Sequence, residues 1–247
     1  MERGEDVELD VAALQLAKIE FPELDVSSFR EILDSHAREL GAMLARTASG
    51  EEYVRAANEY FFQSLGFHGN QEDYYNAHNS CLNEVLVTRT GIPITLGVVY
   101  MEVSRRLGRK VEGLGMPGHF LVRYTGEDYM AVIDCFHGKI LDAEEGRAVA
   151  PSSKYQIIVR MLNNLRQVYF RKQDFERSIR VLDLLIEAMP DSAEERKQRG
   201  VIQLHLKHAG AALQDLQEYL RLAPEAPDRA TIEGYVEDLR RYLRSMN

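Results

Sequence analysis

Residues 91–138, GIPITLGVVYMEVSRRLGRKVEGLGMPGHFLVRYTGEDYMAVIDCFHG, read as one helix feeding a small antiparallel sheet. Leu96, Val99, Tyr100, Val103 and Leu107 recur at intervals of three and four, which gives a helix one apolar face. Pro93 suits its first turn, where the missing N–H costs nothing, and Gly108 suits its end. EGLGMPGHFLVRYTG and YMAVIDCF follow, short β-branched and aromatic runs bounded by glycines and by TGED, so two strands joined by a turn are expected. His119 opens the first strand and Asp134 closes the second. In an antiparallel pair such positions can lie side by side, within reach of a His–carboxylate hydrogen bond.

The chain has 247 residues, 45% of them hydrophobic, enough to bury a core in one large or two modest domains. No apolar run approaches the ~20 residues of a membrane span, and the acidic start MERGEDVELD does not read as a signal peptide. A cytoplasmic protein with no membrane contact is therefore expected. Two cysteines, Cys81 and Cys135, provide neither a disulfide framework nor zinc-ligand spacing. Through residue 158 there are 15 Lys and Arg against 25 Asp and Glu, and beyond it 15 against 14. An acidic front half argues against nucleic acid, whose phosphates need clustered Lys and Arg.

Upstream, VAALQLAKIEFPELDVSSFREILDSHARELGAMLAR shows helical spacing twice, interrupted at Pro22. His36 sits on the apolar side of the second helix with no other ligand type near it, so it reads as a packed residue. EEYVRAANEYFFQSLGF makes a third helix stopped by Gly66, and HGNQEDYYNAHN a polar loop. Ser80 is placed to cap the helix CLNEVLVTR, which puts Cys81 in a first turn. A helix amino terminus lowers a thiol's pKa and can make a nucleophile. No partner lies nearby in sequence, however, and free cysteine is among the most often buried residues.

NSCLNEVLVTRTGIPITLGVVYMEVSRRLG, GMPGHFLVR and IDCFHGK together resemble the transglutaminase-like superfamily, in its bacterial branch of the invasion-regulator-B type. The likeness covers roughly residues 30–145. It implies a papain-like helical and antiparallel-sheet fold. Active members use a Cys at the start of the helix that ends in Leu-Gly, a His on the next strand and an Asp on the strand after. His119 matches that His and Asp134 that Asp. In such a set a thiolate attacks an acyl group, His moves the proton, and Asp holds the imidazole tautomer. The nucleophile is where this chain departs: the helix ending at Leu107-Gly108 begins Pro93, Ile94, Thr95, and the match does not reach Cys81. Thr95 is the only hydroxyl in the right turn and would need strong activation by His119; the plain alternative is a threonine bonding backbone. Glycines 113, 115 and 118 around the pair suggest close backbone approach at a cleft. His137, three residues past Asp134, makes a metal cluster with Asp134 and His119 conceivable, but a further ligand is wanted and none is apparent. Neither a metal nor a cofactor is expected.

Pro190 and Pro224 lie 34 residues apart and end matching segments, VLDLLIEAMP and DLQEYLRLAP. That period marks tetratricopeptide repeats. In this frame Gly200 and Ala212 take the small positions of the second copy, where the first has Arg166 and Ser178, and ATIEGYVEDLRRYLRSMN reads as a solvated capping helix. The expected layout is α+β: residues 1–150 a transglutaminase-like domain with an N-terminal helical region, and residues 157–247 an all-α module of two repeats plus the cap. GRAVAPSSKYQ, residues 146–156, is the linker.

Two classes of function stay open. One is a binding or regulatory module that has lost its nucleophile and recognises a peptide or protein through the cleft and the repeats. The other is an acyl-transfer or peptidase-like enzyme using His119 and Asp134 with Thr95, Cys81 or a water.

Overall fold

A computed structural model describes residues 8–46, 48–127, 129–141, 146 and 148–246. The first seven residues of the acidic start, Asp128 of the TGED turn, Arg147 of the 146–156 stretch and the last residue of the cap fall outside them. The chain is α+β and divides into two compact units, residues 1–164 and 165–247. Among the described residues no helix is long and apolar enough to cross a membrane.

The first unit opens with α1 (Leu9–Ala17) and α2 (Val26–Ala42), separated around Pro22. Asp25 caps α2 by accepting the Ser27 N–H at 3.0 Å. α3 (Gly50–Asn58) starts with a reciprocal capping box between Ser49 and Glu52 and runs on as a π-helical turn, Glu59–Ser64. The segment expected to be a plain loop is more ordered. His68–Gly69 (β1) pairs in parallel with Thr90–Gly91 (β2), and Ala77–Ser80 forms a 3₁₀ turn. α4 (Leu82–Thr88) begins one residue later than its sequence suggests, so Cys81 rather than Ser80 occupies the cap position, without a side-chain bond to the helix.

α5 (Pro93–Arg106) has Pro93 in its first turn, as its spacing predicts. Its burial is wider than one stripe: every residue from Pro93 to Tyr100, and Glu102, Val103 and Ser104 besides, is withdrawn from solvent. The helix touches α1, α2 and α4 on some sides and the sheet on another. That sheet has four antiparallel strands rather than two, in sequence order: β3 (Val111–Met116), β4 (His119–Thr125), β5 (Met130–Asp134) and β6 (Lys139–Leu141). The run EGLGMPGHFLVRYTG folds back on itself because Pro117 and Gly118 (φ +72°) make a two-residue turn that pairs Met116 with His119. α5 meets β4 at Gly97, where a Cβ would lie 2.8 Å from the Phe120 ring and 3.2 Å from Val122. The stretch 146–156 is not a free linker. Ser152 donates its N–H to the Gly113 carbonyl at 2.8 Å, and α6 (Lys154–Arg171) starts inside the stretch.

A buried charge ties α1 to α2 and α5. The fully buried Asp10 carboxylate accepts Arg106 at 2.6 Å and Arg30 at 3.1 Å, while Arg106 also reaches Asp34 and Glu102. Burial pushes the Asp10 carboxyl up, but bonds and charge from Arg106, the Val11 amide and Arg30 outweigh it and hold it below its ordinary value. A depressed folded-state pKa means stabilisation that is present above the ordinary carboxylate range and lost as pH falls through the folded value.

In the second unit α7 (Phe175–Ala188), α8 (Ala193–His205), α9 (Ala209–Leu222) and α10 (Arg229–Ser245) pack each on the next. The 34-residue frame recurs in the backbone. Gln173 and Lys207, 34 apart, are both left-handed (φ 56° and 63°), and Met189 and Ala223 close their helices with nearly the same angles. A Cβ on Gly200 would meet Leu216 at 2.9 Å, and Ala212 is fully buried with Leu216, Tyr219, Ile232, Val236 and Leu239. α10 buries only Ile232, Val236 and Leu239, as a capping helix should.

Ala212→Phe should destabilise the repeat unit by roughly 1 to 3 kcal/mol through overpacking, measured as a shift in its thermal or denaturant transition. Asp10→Asn should cost about 3 kcal/mol near neutral pH, with the difference from the parent shrinking as unfolding is followed into acid.

Candidate functional site

β4 and β5 pair so that Val122 faces Ile133; carried on one step, Leu121 faces Asp134, and His119 is its diagonal neighbour on the same side. The expected bond forms: His119 Nε2 lies 3.1 Å from Asp134 Oδ2. Arg160 donates to the carbonyls of Met116 (2.8 Å) and His119 (2.7 Å), which pins the backbone on either side of the Pro117–Gly118 turn. The His119 end of the pair is thus held from α6.

Asp134 does more than orient one histidine. Its Oδ1 accepts the backbone N–H groups of Phe136 (3.0 Å) and His137 (3.1 Å), and its Oδ2 also meets His137 Nδ1 at 2.7 Å. Burial pushes this carboxyl up, yet the His137 side chain and amide, then His119, bring it below its ordinary value. The ionised form is therefore the resident one at neutral pH. With Nε2 of His119 turned to Asp134, Nδ1 is the nitrogen left for other chemistry. The His119 side chain is about one-third exposed and that of His137 nearly half.

The sequence candidates for nucleophile fare differently. Thr95 is fully buried and donates its hydroxyl to the Asn79 carbonyl at 2.5 Å, with the Ile92 carbonyl at 3.3 Å. Strand alternation puts Phe120 and Val122, which pack on α5, on one face of the sheet, and His119 and Asp134 on the other. Cys81 is fully buried, its Sγ 3.5 Å from the Ala77 carbonyl, and burial, with Glu20 and Glu84, pushes its thiol up to about 12. Cys135 is sealed too, and burial pushes its thiol well above the ordinary range. His36 bonds Tyr60 through Nδ1 at 2.9 Å and packs edge-on to Phe67, a structural residue as its setting suggested.

An open cleft of about 930 Å³ runs up to His137, lined by Phe62, His68, Asn70, Glu72, Phe136 and Lys139 among others. Its floor depends on Gly69, whose N–H donates to the Phe136 carbonyl at 3.0 Å and whose missing Cβ leaves room for the Phe136 ring. Sequence reasoning passed over these residues because the β1–β2 pairing joins segments over twenty residues apart. Gly69 between two polar residues was the one available signal.

Residues 27–161 match the family model described as transglutaminase-like superfamily, and residues 165–237 match a tetratricopeptide repeat model. A UPF0162 protein of Xylella fastidiosa is 35% identical over 95% of this chain and 91% of its own length. Protein SirB1 of Salmonella typhimurium is 22% identical over 93% of this chain and 90% of its own. Among solved structures, menin aligns with a TM-score of 0.51 at 12% identity, covering 95% of this chain and 62% of menin, a likeness of fold.

With burial pushing its thiol up to about 12, Cys81 carries far less thiolate at pH 7 than a free cysteine. Iodoacetamide should leave Cys81 of the folded protein unmodified over a period that fully labels the urea-unfolded chain, as read by mass spectrometry. Rapid labelling that His119→Ala abolishes would contradict the geometry.

Proposed function

Because the chain belongs to the transglutaminase-like superfamily and carries a tetratricopeptide segment behind that domain, we propose that it is a regulatory module that binds a peptide or protein and has given up thiol catalysis. The observation that carries this reading is the state of the nucleophile: Cys81 is sealed with its thiol pushed up to about 12, and the Thr95 hydroxyl is committed to backbone carbonyls. A group in either condition cannot approach a base to the ~3 Å that general-base activation requires. The cleft beside His137 supplies aromatic walls with polar and charged groups of both signs, a mixture suited to an extended peptide. In the repeat unit, an apolar pocket of about 350 Å³ between Leu204, Ala209, Tyr235, Leu239 and Tyr242 offers a second contact. A cytoplasmic setting accords with this reading.

A second reading is favoured by one observation. His119 Nδ1 has no protein partner among the described residues while Asp134 orients the ring, an arrangement able to activate a water for peptidase-like hydrolysis.

One experiment separates the two. Peptides selected on the immobilised full chain should bind the parent and His119→Ala alike and weaken with Phe62→Glu or Tyr242→Glu, while an amide and ester substrate panel shows no turnover. Turnover or acyl transfer to an amine that His119→Ala eliminates would overturn the binding reading and establish the enzyme.

A further inference from the structure

We propose that His119, Asp134 and His137 form a binding site for a divalent transition-metal ion of the zinc class. The inference goes beyond the peptide-binding reading and does not depend on it. The three side chains offer two imidazole nitrogens and one carboxylate oxygen, and these donor atoms all lie within 4.8 Å of one another. With metal–ligand bonds of about 2.0 to 2.2 Å, tetrahedral donors sit roughly 3.3 Å apart. Asp134 Oδ2 is 3.1 Å from His119 Nε2 and 2.7 Å from His137 Nδ1, so those contacts open by roughly 0.2 and 0.6 Å while the two nitrogens, within 4.8 Å of one another, settle to the same spacing.

The carboxylate is prepared for the role. Two backbone amides hold Oδ1, which turns Oδ2 toward both histidines as a single, fixed donor, the outer support that metal ligands commonly require. His137 returns to the site because the chain turns after β5, with Gly138 at φ +65° immediately behind it. Asp134 is nearly buried while both imidazoles are partly exposed, so an ion can enter from solvent and lose little hydration on the protein side. Three protein ligands leave a fourth position for water, and the large cleft begins at His137. The two nitrogens select the cation: imidazole suits zinc, copper, nickel and ferrous iron, whereas calcium and magnesium prefer oxygen alone. In the metal-free state each imidazole donates an N–H to the Asp134 carboxylate at Oδ2. On binding, that proton leaves the ligating nitrogen, for the other ring nitrogen or for solvent, and the freed lone pair goes to the ion.

The full chain, stripped with a chelator, should take up one equivalent of zinc in a calorimetric titration near pH 7.5. His119→Ala and His137→Ala should each weaken it by about tenfold or more. His68→Ala, which removes a histidine from the neighbouring cleft, should leave it unchanged. Asp134 is kept intact because it also holds two amides. A readout free of substitutions uses ¹⁵N-labelled histidine: zinc should shift Nε2 of His119 and Nδ1 of His137 in the parent protein. No saturable uptake, uptake retained by both variants, equal competition by magnesium or calcium, or zinc shifts confined to other histidines would each overturn the site.

Discussion

The close approach of α5 to β4 at Gly97 is the contact on which the first unit depends. A side chain there would occupy the space of Phe120 and Val122, and the helix could not lie flat against the sheet. With the helix seated, Pro93 to Ser104 become almost wholly buried, and the polar residues among them must find partners inside the protein. They do so: Ser104 bonds Tyr53 and the Tyr100 carbonyl, Thr95 bonds the Asn79 carbonyl, and Glu102 meets Arg105 and Arg106. The Thr95 hydroxyl in the first turn of the helix is thereby spent on structure.

The same packing divides the sheet. One face is consumed by α5, and the other carries His119 and the nearly buried Asp134, just beyond the last β4–β5 pair at Val122 and Ile133. Asp134 is the hinge of the site because a single carboxylate closes the turn after β5 with one oxygen and gathers two imidazoles with the other. Its low pKa follows from that density of donors acting against the burial that would raise it. The site thus holds an ionised carboxylate bonded to two imidazoles, one of which it orients from the neighbouring strand.

The repeat unit depends on a different constraint. Its helices meet where Gly200 and Ala212 keep side chains short, and the turns between them repeat a left-handed residue at Gln173 and Lys207. Neither of these is glycine, so the conformation is set by the helix–turn–helix geometry rather than by residue preference. Arg199 adds a charged anchor, with two 2.7 Å bonds to the nearly buried Asp215 and one of 2.6 Å to Asp183.

Much of this was legible in the chain itself. The spacing of apolar residues and Pro93 set α5, the 34-residue interval set the repeat frame, and the places of His119 and Asp134 at strand ends set their bond. Local signals suffice there because helix period, strand alternation and turn residues act over a few positions. Tertiary structure decided the rest. The β1–β2 pairing, the burial of α5 on nearly all sides and the cleft each join distant segments, and no short window reports such contacts. The fate of Cys81 is the clearest case. Its position beside a helix start would lower a thiol's pKa in the open, but the packing around it raises the pKa instead, because burial disfavours the thiolate and Glu20 and Glu84 add to that effect.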